Sequence, residues 1–146
     1  MKAGLDLNAR AVATNATLAR FRNRAFDWKT GATCIHLARL QAKNMGHRVP
    51  AVPRFTSPRG ALLALRKQGF ETLGALLDAR FERIDPARML IGDLAMLPGE
   101  EGADDPLGAV MIFDGLTKLL GWHDADPSRL RPIAHAQDAI AGAWRL

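Results

Sequence analysis

Cys34 is the single cysteine of a 146-residue chain, and with four histidines, His36, His47, His123 and His135, it makes up the thiol and imidazole chemistry on offer. It stands in "FDWKTGATCIHLARLQAKNMGHRVP", where Thr30 or Thr33 can cap a helix that places the cysteine in its first turn. A helix N-terminus presents unpaired N–H groups and the positive end of the macrodipole, which favour thiolate over thiol. The same small, soft side chain is equally ordinary as filling on an apolar helix face. A cysteine hydrolase further needs a base within hydrogen-bond reach of the sulfur, to hold the thiolate and protonate the leaving amine. His36 lies two residues on, which turns it to roughly the opposite side of a helix. His47 falls just beyond the far end of that helix. His123 in "GWHDAD" and His135 in "IAHAQD" sit in connecting or terminal segments, and His123 is the better of the two as a source of imidazole.

The remaining composition narrows the chemistry. One cysteine excludes an intramolecular disulfide framework and every multi-cysteine zinc pattern. Glu100, Glu101, Asp104 and Asp105 crowd the segment "GEEGADDP", but without the alternating spacing and terminal bidentate Glu of a calcium loop. That segment reads as a solvated hairpin connection, and neither a metal nor a cofactor is expected. Residues 1–68 carry 13 Lys or Arg against two Asp, a balance of +11, while residues 69–146 carry 7 against 13 acids, a balance of −6. Such lopsidedness suits an acidic partner, head-to-tail association with a copy of itself, or two halves that neutralise each other on folding. The basic run Arg48, Arg54, Arg59, Arg66 and Lys67 could meet phosphates, yet no helix-turn-helix, zinc or aromatic-interleaved motif accompanies it. Nucleic acid is therefore a weak expectation. No run of about 18 apolar residues exists to insert into a membrane, so a soluble protein made in a cytoplasm is expected.

The elements that must position Cys34 can be read from periodicity. Leu7, Ala11, Thr14, Leu18, Phe21 and Ala25 recur at three- and four-residue steps, predicting an amphipathic helix over 6–25 with Asp6 or Asn8 as cap and Arg10, Arg20 and Arg24 off the apolar stripe. In the second helix Cys34, Leu37, Ala38, Gln41 and Met45 share a face, and Gly46 stops it. A proline-rich loop through Pro50 and Pro53 follows, then a helix with Ser57 as cap and Pro58 at its first position, closed by Gly69. Leu73, Leu76, Leu77 and Phe81 repeat at helical spacing for a fourth. Beyond "DPAR", the short apolar runs "MLIGDLAMLPG", "LGAVMIFDG", "LTKLLGW" and "AGAWRL" suit buried strands. Trp28 is expected in the core, with Trp122 and Trp144 open between core and interface. Helices followed by an antiparallel meander make one α+β domain over 1–146, helices packed on one side of a small sheet.

This order of motifs resembles the papain-like fold of the NlpC-type cell-wall peptidases, and more closely a phage-borne family of uncharacterised papain-like domains found among tail genes. Phe26 and Trp28 match that family's aromatic pair, Gly31 its glycine, Cys34 its cysteine, Gly46 its helix stop, Gly92 and Asp93 its Gly-Asp, Gly115 its strand end and Trp144 its terminal tryptophan. Two positions depart from the pattern. Thr33 stands where an Asp is preferred before the cysteine. The peptidases open their second strand with a histidine base, in a pattern like His-Val-Gly-Ile-Tyr-x-Gly, and aligning its last glycine with Gly115 puts Ala109 at the base.

The resemblance therefore implies a structural or assembly component of a phage tail tip or baseplate, built on a catalytically degenerate fold in which Cys34 is a vestigial catalytic residue. Its expected partners are other tail proteins or copies of itself, and its place the virion after assembly in the host cytoplasm. The alternatives are an active cysteine peptidase or amidase acting on peptidoglycan during DNA entry, and a basic nucleic-acid-binding module.

Overall fold

The structure, a computed structural model, describes residues 4–98, 106–123, 126–134 and 139–146, without the side chains of His123 and Asp126. The segment with Glu100, Glu101, Asp104 and Asp105 and the residue His135 lie outside the described set. Four α-helices precede the sheet: α1 Leu7–Phe21, α2 Cys34–Asn44, α3 Pro58–Lys67 and α4 Leu73–Arg80. Each begins where a side-chain oxygen meets an otherwise unpaired backbone N–H: Asp6 accepts from Ala9, Thr33 from His36, Ser57 from Gly60 and Thr72 from Ala75.

The first helix differs from its reading in two ways. It ends at Phe21 rather than Ala25, because the sheet recruits the backbone that follows: Trp122 donates from Nε1 to the carbonyl of Arg24 at 2.9 Å, and the Phe26 N–H donates to Pro127 at 2.8 Å. Its buried face runs through Arg10, Ala13, Thr14, Thr17 and Phe21, so Arg10 faces inward while Leu7 is exposed. A periodicity argument counts an arginine as polar, and here the interior holds its ion partner.

The sheet has six strands among the described residues, in the order β1-β6-β2-β3-β4-β5 and antiparallel throughout. β2 Leu94–Leu97, β3 Ala109–Phe113, β4 Lys118–His123 and β6 Gly142–Arg145 occupy the four apolar runs of the sequence. The simple meander is corrected at both edges. β1 Glu82–Ile84 has only three residues, and β5 Asp126–Ala134 contains Pro127 and Pro132, which remove ladder donors and confine such a strand to an edge. The last strand then leaves the meander to lie between β1 and β2. Leu94, Val110, Ile112, Leu120, Trp122 and Trp144 face the helices, whereas Ala95, Met111, Leu119 and Ala143 pack with Ile84 and Met89 on the opposite face. Trp144 and Trp122 are thus core residues, while Trp28 is only half-buried.

At the centre of this arrangement is Asp93, with no exposed surface. One carboxylate oxygen accepts from Arg10 Nη2 and from the Leu146 N–H at 3.0 Å; the other accepts from Arg145 Nε at 2.9 Å and the Leu90 N–H at 2.8 Å. Arg10 extends the tie, donating from Nε to Ile91 and from Nη1 to Leu146. Gly92 precedes it at φ +90°, and a Cβ there would stand 2.7 Å from Thr14 Oγ1 and 2.9 Å from Gln41 Nε2, so glycine alone lets α1 and α2 close over the turn. Asp93→Ala strands a guanidinium in the interior, and is expected to cost about 3–5 kcal/mol, a large part of a small domain's stability. Urea denaturation followed by tryptophan fluorescence measures it; a loss below about 1 kcal/mol would show the carboxylate to be dispensable.

Candidate functional site

The backbone reaches Cys34 through a small turn. Asp27 and Ala32 pair across it by 2.9 and 3.1 Å backbone bonds, while the Asp27 carboxylate accepts from the Lys29 N–H and the Thr30 hydroxyl. Arg24 clamps the turn by donating to the Thr30 carbonyl at 2.9 Å. Thr33 emerges fully buried in extended conformation, and Cys34 takes the first helical position. The cysteine is half-buried and packs against the core between the sheet and the helices. Thr33 caps the helix, since its hydroxyl accepts from the His36 N–H at 3.3 Å.

That hydroxyl also fixes the nearest imidazole. Thr33 Oγ1 lies 2.8 Å from His36 Nδ1, and the ring rests against Phe55 at 5.4 Å between centroids. Burial holds the His36 pKa below its ordinary value, and the positive charge of Arg24 adds to the effect. A neutral ring tied to the cap is not the imidazolium partner that a thiolate needs. His47 stands edge-on to Phe81 at 5.0 Å, beyond the other end of α2. The backbone of His123 ends β4.

Ala109, aligned with the peptidase base, packs with the cluster of Met111 and Leu119 on the sheet face away from α2. Its neighbour Val110 and then Ile112 face the helices instead. β3 therefore presents only apolar side chains, and no imidazole, on either face. Phe21, Trp122, Phe26, Trp28 and Phe55 form a continuous string of ring contacts, with successive centroids 5.4 to 5.9 Å apart, beside the start of α2. This string gathers the aromatic pair expected from sequence with Trp122 and Phe55. Phe55 had no signal of its own, because a proline-rich loop has no period to mark its inward residues.

The glycine and aspartate of the "GD" motif belong to the scaffold rather than to the cysteine's chemistry. Trp144 has a similar structural part: it is fully buried, donates from Nε1 to Asp78 at 2.9 Å and lies under the Arg83 guanidinium at 4.9 Å. Arg83 in turn donates to the Asp78 carboxylate at 2.8 Å, and chiefly this bond holds the Asp78 pKa below the usual carboxylate value.

Helices on one face of an antiparallel sheet, with a cysteine opening the second helix, define an NLP/P60-like fold. The chain is similar to a solved structure described as similar to lipoprotein, NLP/P60 family, from Staphylococcus aureus subsp. aureus Mu50, with a TM-score of 0.57 and 15% identity over 98% of this chain and 43% of that one. It thus spans less than half of that relative. A second solved structure, the P60 domain of an M. avium paratuberculosis antigen, shares 19% identity over 95% of this chain and 96% of that one, with a TM-score of 0.48. No curated protein matches. Residues 7–145 match the family described as Domain of unknown function (DUF6950), and the chain belongs to it.

The lowered His36 pKa sets a pH dependence. Above about pH 6.5 the ring is neutral whether the chain is folded or unfolded, and its contribution is complete. As pH falls below that value the unfolded chain takes up the proton first, so stability is lost down through the folded pKa. Urea midpoints measured between about pH 7.5 and 5 should decline, and less steeply in His36→Gln. An NMR titration of the His36 ring at or above its ordinary value would contradict this.

Proposed function

We propose that this chain is a non-hydrolytic domain on the NLP/P60 plan that works through contacts with other proteins. The tail tip or baseplate of a phage is the setting implied by its motif resemblance. The observation that carries the reading is β3: from Ala109 to Phe113 it presents Ala, Val, Met, Ile and Phe, so the strand on which the motif resemblance expects the base carries no imidazole on either face. His36, two residues from the cysteine, does not replace that base, because its Nδ1 is engaged with Thr33 and burial, with Arg24 adding to it, disfavours its charged form. On this reading Cys34 is a packing residue retained at a position where its relatives react, and the assembled virion is where the protein acts.

One observation favours a second reading, an active cysteine peptidase or amidase on peptidoglycan. Cys34 is half-buried at the first position of α2, beside the positive end of an 11-residue helix. The base would then be a histidine supplied from elsewhere in the chain or by a partner chain, with His123 the candidate to test first. Alkylation of wild type and His123→Ala with iodoacetamide across pH separates the two. The non-hydrolytic reading expects a rate that still climbs between about pH 7 and 9, as for an ordinary thiol, and is unchanged by His123→Ala. It also expects no soluble peptides from purified peptidoglycan. A plateau already reached by about pH 7 that disappears in His123→Ala, or a hydrolysis abolished by Cys34→Ser, would overturn it.

A further inference from the structure

A cavity of about 100 Å³ lies along the flank of α2 that carries Ile35, Ala38 and Arg39. The proline-rich loop, α3, α4 and the start of β3 complete its walls, and it opens to solvent on one side. Phe55, Leu76, Phe81 and Leu107 make the interior apolar, while Arg39, Gln68 and Arg80 supply its polar side chains. None of the described lining residues is acidic. Arg39 reaches across to the loop, donating to the carbonyls of Pro50 at 3.3 Å and Val49 at 3.5 Å. Arg80 is exposed and its side chain has no hydrogen bond or ion pair among the described residues, and the same holds for the side chains of Arg48 and Arg54 on the loop.

Size and charge together choose the occupant. Sites for whole small-molecule ligands measure about 300–1,000 Å³, whereas a dry cavity of about 150 Å³ takes a single benzene ring. This one fits the end of one large side chain, with the rest of its owner outside. The cationic mouth then selects the owner by charge. A nucleic acid would satisfy the arginines, but its bases carry several polar edge atoms, and an interior of Phe55, Leu76, Phe81 and Leu107 with one amide cannot pair them.

We propose that this cavity receives one large apolar side chain from an acidic peptide segment of a partner protein, with Arg39 and Arg80 meeting the carboxylates beside it. The site excludes Cys34, so the assignment holds whether or not the cysteine reacts, and alkylation and hydrolysis assays do not bear on it. Apolar anchoring with charged flanks is how short segments are held in small grooves.

Fluorescence anisotropy at low salt, with a fluorescein-labelled nonapeptide of glutamates around a central phenylalanine, tests it against the counterpart with central alanine. The phenylalanine peptide should bind about tenfold tighter or more. Ala64→Phe, which fills the cavity from α3, should remove that preference, and Arg80→Glu should weaken both peptides; amide NMR spectra establish that each variant is folded. Equal affinity for the two peptides, no binding of either up to millimolar protein, or a preference that survives in folded Ala64→Phe would overturn the proposal. So would a thymidine oligonucleotide that displaces the phenylalanine peptide at a lower concentration than the unlabelled peptide does, which would assign the mouth to nucleic acid.

Discussion

The buried carboxylate of Asp93 is the constraint on which the other elements depend. Two arginines, from the first helix and the last strand, and two backbone N–H groups converge on it. A charge with no exposed surface is tolerated only when its partners fill its hydrogen-bonding capacity, and here they do. The consequence is topological: the chain's beginning, its middle and its end are tied at one point. β6 is held next to β2, and α1 is held across the sheet that carries them. Leaving out any one partner would strand the others, so the three segments form one unit rather than three independent contacts.

The start of α2 is placed by that unit. Gln41 on α2 donates to both Thr14 and the carbonyl of Gly92, each at 3.0 Å, so the helix that carries Cys34 is pinned to the same turn that presents Asp93. From there the helix divides two surfaces. At its first turn stand Cys34, the Thr33 cap and the aromatic string; along its flank lies the apolar cavity with its arginine mouth. An NLP/P60-like arrangement of helices on an antiparallel sheet is thus present, while β3 of this chain, Ala109–Phe113, carries apolar side chains and no imidazole. Scaffold and chemistry are separable because the residues that hold the fold are not those that would react.

Much of the local structure was legible in the sequence. Caps at Asp6, Thr33 and Ser57 and the stop at Gly46 follow from short-range hydrogen bonding and backbone freedom, so those helices fall where these residues put them. The four apolar runs became strands for the same reason: length and burial pattern are local properties. β1 and β5 were not legible. One is too short to show alternation, and the other contains two prolines that a local rule counts against any strand, whereas an edge position accepts them.

By itself the sequence determined the α+β class, the position of Cys34 at a helix start, the absence of a histidine at Ala109 and the electrical imbalance of the two halves. Only the tertiary structure decided that Arg10 turns inward, that the Gly-Asp motif is an anchor for both ends of the chain, that Ala109 faces away from α2, and that a cavity opens beside Arg39 and Arg80. The physical reason is the range of the forces involved. Caps, turns and periodicity act over three or four residues, but the partner that makes a buried arginine favourable lies 83 residues away, and no local pattern carries that distance.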